Sequence, residues 1–128
     1  MSESLRGVIV CHGALARALV DATAQISGMA DALVPVSNSG CDRGDLEARV
    51  EAAVGQEPTV VFVDMASGSC LFAVLRRLRE RPNVRVVTGV NLAMLLDFAF
   101  HRDQSLEEAA ARALETGRSS VTVMGGGA

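Results

Sequence analysis

The sequence predicts an α/β fold built on a parallel sheet, because short β-branched runs alternate with longer segments of helical periodicity. Two further observations agree. The run Thr59-Val60-Val61-Phe62-Val63 is apolar throughout, as expected of a strand covered by helices on both faces. A length of 128 residues with 49% hydrophobic side chains suffices for one buried core and leaves little room for a second.

The first strand is Gly7-Val8-Ile9-Val10-Cys11. Beyond His12-Gly13, residues 14–26 place Leu15, Leu19, Ala22 and Ile26 at helical spacing, and Gly28 is a suitable stop. A second strand, Ala32-Leu33-Val34-Pro35-Val36, contains a proline without a backbone donor, which predicts a peripheral position. A polar loop over 37–42 precedes a helix marked by Leu46, Val50 and Ala53 and ending near Gly55. After the central strand at 59–63, the segment Asp64-Met65-Ala66-Ser67-Gly68-Ser69 opens a helix through Leu71, Leu75 and Leu78, stopped soon after by Pro82.

A fourth strand follows at Val84-Arg85-Val86-Val87. Asn91 suits the cap of a nearly all-apolar helix over 92–100, which needs cover on more than one side; in so small a domain a second subunit could supply it. Ser105-Leu106-Glu107-Glu108 has the spacing of a capping box and opens a last helix that stops near Gly117. Residues 119–124 read as a final strand, and Gly125-Gly126-Gly127-Ala128 as a flexible tail, so that 1–124 is expected to form the single domain.

A net charge of −3 without a basic stripe argues against nucleic acid as the main ligand. No apolar run reaches the roughly 18–20 residues of a membrane span, and Met1-Ser2-Glu3-Ser4 lacks the features of a signal peptide, so a cytoplasmic protein is expected. The three cysteines form no C-x-x-C motif, and reduced thiols are the simpler expectation.

Right-handed crossovers bring successive parallel strands out at one edge, where open α/β sheets bind their ligands. His12, Asp64, the Ser67-Gly68-Ser69 turn and Asn91 all fall at that edge. A carboxylate that holds the N–H side of an imidazole fixes which nitrogen is free to attack, and Asp64 is the candidate for His12. Attack on an activated phosphoryl group would give a phosphohistidine, a transfer that asks mainly for alignment and charge stabilisation. Helix starts after Gly13 and around Ser67, Gly68 and Ser69 offer backbone donors to such an anion, and Asn91 lies at the site edge. Each residue also has a plainer reading: a solvated histidine, an aspartate in a turn, an ordinary Ser-Gly-Ser loop, and an asparagine that only caps its helix.

Cys11, Cys41 and Cys70 fall in or beside loops at the same edge and suggest a competing metal- or thiol-binding arrangement. Strand alternation points Cys11 away from His12, and the spacing lacks the close pairs of structural zinc sites; no metal ligand is assigned. His101 reads as a polar helix terminus.

Taken in order, these segments resemble the mannose-type IIA components of the bacterial phosphoenolpyruvate-dependent sugar phosphotransferase system. The resemblance runs nearly end to end through Val8-Ile9-Val10-Cys11-His12-Gly13, Phe62-Val63-Asp64, Thr88-Gly89-Val90-Asn91-Leu92-Ala93-Met94-Leu95 and Glu115-Thr116-Gly117-Arg118. It implies a phosphotransferase component in which His12 takes phosphate from phospho-HPr and passes it to a IIB component, with Asp64 bonded to the histidine and no cofactor. It further implies a doubly wound, mostly parallel sheet with four parallel strands plus an antiparallel carboxyl-terminal edge strand, 120–124, exchanged in a homodimer. A peripheral association with a permease complex would follow, without insertion into the membrane.

Two departures stand out. Ser67-Gly68-Ser69-Cys70 replaces the family's usual Gly-Gly-Ser-Pro, and Ala93 stands where a proline is common. His12 and Asp64 are retained, so phosphate acceptance is expected, whereas Ser67 and Cys70 bear on the rate of transfer and on which IIB surface can dock. A regulatory module, whose phosphorylation state a partner reads without sugar transport, is the alternative.

Overall fold

A computed structural model describes residues 4–127; Met1, Ser2, Glu3 and the tail's last residue, Ala128, lie outside the described residues. Strands β1 (Arg6–Cys11), β2 (Leu33–Ser37), β3 (Thr59–Val63) and β4 (Val84–Thr88) alternate with helices α1 (Leu15–Ser27), α2 (Arg43–Val54) and α3 (Ser69–Leu78). Helices α4 (Leu92–Phe100) and α5 (Leu106–Ser119) complete the chain. All four strands are parallel, in the order β2-β1-β3-β4. Pro35 sits on the edge strand β2, where its missing N–H costs no ladder bond on the outer side.

Two cores flank the sheet. On one face Ile9, Phe62 and Val87 pack against Ala16 and Val20 of α1, Leu95 and Phe98 of α4 and Ala113 of α5. On the other, Val8, Val10, Val61 and Val63 meet Leu46 and Val50 of α2 and Ala73, Val74 and Leu78 of α3. Burial on both faces is why β3 has no polar alternation: all five of its residues are buried. Phe62 meets Phe98 edge to face, with ring centroids 5.3 Å apart.

The carboxyl-terminal third bears on three expectations. Within the single chain α4 lies between α1 and α5 and buries Met94, Leu95, Phe98 and Ala99, while Leu92, Ala93 and Leu96 are half-buried and Phe100 is exposed. Helix α5 ends at Ser119, two residues past Gly117; a Cβ at Gly117 would collide with Met94 Cε and stand 3.2 Å from its Cβ. This glycine serves the close approach of α5 to α4. Residues 121–125 form no strand in the single chain, and Val121, Val123 and Met124 are exposed. A β-branched segment becomes a strand only where another strand accepts its backbone hydrogen bonds, and within the single chain residues 121–125 pair with none of the four strands.

The remaining helix boundaries have local causes. Asp42 and Asp45 form a capping box on α2, Ser105 and Glu108 another on α5, and Asn91 Oδ1 accepts the Met94 N–H at the start of α4. Arg77 bridges α3 to α2, donating from Nε to the buried Glu47 at 2.7 Å and from Nη1 to Glu51 at 2.8 Å.

Candidate functional site

From β1 the chain goes out to β2 on one side and returns, through α2, to β3 on the other. The carboxyl ends of β1 and β3 therefore border the point where the winding reverses, the crevice in which open α/β sheets place their ligands. Val10 pairs with Val63, so Asp64 leaves β3 level with Cys11 and one residue short of His12. The ladder itself thus sets the carboxylate beside the imidazole.

Asp64 Oδ2 accepts from the His12 backbone N–H at 2.9 Å and lies 2.8 Å from His12 Nδ1. An ionised carboxylate only accepts, so in the neutral imidazole this contact puts the ring proton on Nδ1 and leaves the lone pair on Nε2. Nε2 faces the turn into α3: Ser69 Oγ is 3.4 Å away, and a Cβ added at Gly68 would stand 3.7 Å from it. Gly68 has φ +95° and ψ −179°, a conformation that side chains rarely tolerate. Helix α3 has no side-chain cap, so its first-turn N–H groups are left to whatever binds there.

The other helix start is differently committed. The Gly13 N–H donates to Asn38 Oδ1 at 3.0 Å, and the Ser37 hydroxyl donates to the Gly13 carbonyl at 2.6 Å. Ser37 and Asn38 hold the turn after His12 from the end of β2, a role hidden within a polar loop in the sequence. Ser67 is exposed on its turn, and none of the described hydrogen bonds joins it to His12. Asn91 does not reach His12 by hydrogen bond either; its Nδ2 donates to the Gly117 carbonyl at 3.1 Å and to Ser120 Oγ at 3.3 Å, tying α4 to the end of α5.

The cysteines separate. Cys11 lies in the core under α1, α4 and α5, whereas Cys70 lies on the α2–α3 side, as the alternation of β1 requires. Both are fully buried. Burial and the neighbouring Asp64 push the Cys11 thiol up to about 12 and the Cys70 thiol up to about 11. Cys41 Sγ instead donates to the Asn38 carbonyl at 3.3 Å. Cys70, Asp64 and His12 do converge: one ligand atom from each lies within 4.8 Å of the others. His101 caps its own helix, with Nδ1 2.7 Å from the Asp97 carbonyl.

The His12 side chain is 40% exposed and that of Asp64 10%. The site is open. A cavity of about 440 Å³ lies at the opposite edge of the sheet beside Arg6, Asp31, Glu57 and Arg102. No helix among the described residues is long and apolar enough to cross a membrane.

Fold and site together define a doubly wound α/β protein that presents one carboxylate-held imidazole at its topological switch point. Residues 7–115 match the family described as PTS system fructose IIA component. The chain belongs to this family, the mannose-type IIA components of the sugar phosphotransferase system. It is 30% identical over 97 residues to the PTS system sorbose-specific EIIA component of Klebsiella pneumoniae, covering 73% of this chain and 71% of that one. Among solved structures, it is similar to the mannose/sorbose-specific IIA subunit of the phosphotransferase system from Enterococcus faecalis, with a TM-score of 0.82 and 26% identity over 96% of each chain. The phosphotransferase system component EIIA from Streptococcus agalactiae has the same fold, with a TM-score of 0.85 and 17% identity over 93% of this chain and 96% of that one.

Proposed function

We propose that His12 is a phosphoryl carrier: Nε2 accepts phosphate from phospho-HPr and passes it to a IIB component. The observation that carries this reading is the 2.8 Å contact of Nδ1 with Asp64, which leaves Nε2 free and aimed at the uncapped start of α3. In the accepting step the Nε2 lone pair forms a bond to phosphorus as the donor's N–P bond breaks, and the Nδ1 proton stays on the ring against Asp64. First-turn N–H groups of α3, with the Ser69 hydroxyl, meet the charge of the transferring oxygens. Gly68 and Ser69 border that position, with Ser67 on the same turn and Gly13 next to His12 in the chain, held by Asn38 and Ser37; Asn91 acts at a distance, by fixing α4 against α5.

The openness of the site favours a protein donor over a small molecule. A free metabolite is usually gripped in an enclosed pocket, whereas the half-exposed imidazole stands where another protein's phosphohistidine can approach it. Residues 1–124 act as one domain and 125–128 as its tail. The exposed Val121, Val123 and Met124 support a homodimer in which 120–124 adds to the partner's sheet edge. The protein works in the cytoplasm, at the periphery of a permease complex. No observation on this chain favours the purely regulatory alternative over transport.

The test is incubation with radiolabelled phosphoenolpyruvate, enzyme I and HPr. Acid-labile label is expected on the protein and absent from His12→Ala, and phosphorus NMR should place it on Nε2. Unchanged labelling of His12→Ala overturns the proposal. Truncation after Ser120 should convert the dimer to a monomer by light scattering.

A further inference from the structure

We propose that His12, Asp64 and Cys70 form a binding site for a thiophilic divalent cation of the zinc type. Three elements deliver the ligands: the end of β1, the end of β3 and the first turn of α3. Their ligand atoms already lie within 4.8 Å of one another. Donors around a tetrahedral zinc stand about 3.5 Å apart, so closure asks for shifts of about 1 Å. Imidazole, carboxylate and thiolate are each ordinary ligands of this metal.

An independent observation points to a missing ligand. The Asp64 side chain is nine-tenths buried; Oδ2 takes both His12 hydrogen bonds, and Oδ1 is buried with no hydrogen-bond partner. Buried carboxylate oxygens are costly to leave unpaired, and a cation satisfies both the lone pairs and the charge. Cys70 is wholly buried beside it, whereas His12 keeps one side open to solvent. That side supplies the entry path and the fourth position, for water or the Ser69 hydroxyl.

Binding balances simply. A metal–sulfur bond replaces the Cys70 S–H bond and one proton goes to solvent; the imidazole binds through one nitrogen and keeps its single proton on the other. A bound metal occupies the imidazole that would carry phosphate, so the two states exclude each other; this consequence alone rests on the proposed carrier role.

Cobalt(II) is the probe, titrated into the reduced full-length protein. The expected result is one equivalent bound, with a thiolate-to-cobalt charge-transfer band that Zn²⁺ abolishes by displacement. Cys70→Ser should lose the band, His12→Ala should weaken binding by about tenfold or more, and Cys41→Ser should leave both unchanged. Release of one proton per zinc from the wild type, read by an indicator dye, tests the same bond without a variant. No charge-transfer band at millimolar cobalt, or a band that survives in folded Cys70→Ser, overturns the proposal. Zinc should also protect His12 from phosphorylation. A protein that binds cobalt through Cys70 but never accepts phosphate overturns the carrier reading and keeps the metal site.

Discussion

Asp64 Oδ2 accepts two hydrogen bonds from a single residue, the backbone N–H of His12 at 2.9 Å and its ring Nδ1 at 2.8 Å. The first bond fixes where β1 ends relative to β3, and the second fixes the ring. Asp64→Asn can keep both, because its amide oxygen accepts as the carboxylate does, but it removes the negative charge that, in the proposed carrier role, would balance the ring during transfer. Phosphoryl transfer from HPr should slow by about 100-fold, with an unchanged far-ultraviolet circular dichroism spectrum. A full-rate variant would show that the charge is unnecessary.

Gly68 has φ +95°, and its missing Cβ leaves open the space beside His12 Nε2. Gly68→Ala should cost about 1–3 kcal/mol of stability through backbone strain alone. Gly89→Ala is the control, because φ is +73° there and a Cβ would meet nothing within 4 Å. Both variants should lower Tm. Only Gly68→Ala should also slow His12 phosphorylation at temperatures where both are folded.

The approach of α5 to α4 at Gly117 and Met94 gives a coupled pair. Gly117→Ala brings a methyl into Met94, which is 2% exposed and has little room to retreat, and should cost about 1–3 kcal/mol by overpacking. Met94→Leu removes the methyl Cε that a Cβ at position 117 would strike first. In that background the Gly117→Ala penalty should shrink, a non-additivity that a double-mutant cycle in urea would measure. Additive effects would show that the two side chains do not share this space.

What the sequence disclosed was local or followed from strand order. The apolar run of β3, the helix 92–100 with its Asn91 cap and the Ser105–Glu108 box are written in neighbouring residues, and the structure has them at those positions. The pairing of His12 with Asp64 followed from parallel strands ending at one edge. Contacts between distant segments were not legible. Nothing near Gly117 says that Met94 faces it, and nothing near Asn38 says that its side chain holds Gly13. Residues 119–124 have strand composition, but composition does not supply an edge to pair with. Cys70 was visible at the right edge of the sheet; its closeness to Asp64 depends on how the first turn of α3 packs.

Alkaline pH offers a clean test of the two buried thiols. The chain has no tyrosine and its 12 basic residues are all arginine, so between about pH 8 and 11 the cysteines are the only side chains expected to titrate. Well below pH 9, the ordinary thiol value, Cys11 and Cys70 are protonated whether the protein is folded or not, and they add no pH dependence. Above it the unfolded chain ionises them, while burial and the negative Asp64 keep the folded thiols protonated to about 12 and about 11. The folded state then binds more protons, so stability falls as pH rises through this window, by up to about 1.4 kcal/mol per pH unit for each thiol. Urea denaturation of the reduced protein with a chelator present should show this decline beginning near pH 9. Cys11→Ala should remove one thiol's share of the slope, and a slope unchanged in that variant would mean that Cys11 ionises as readily folded as unfolded.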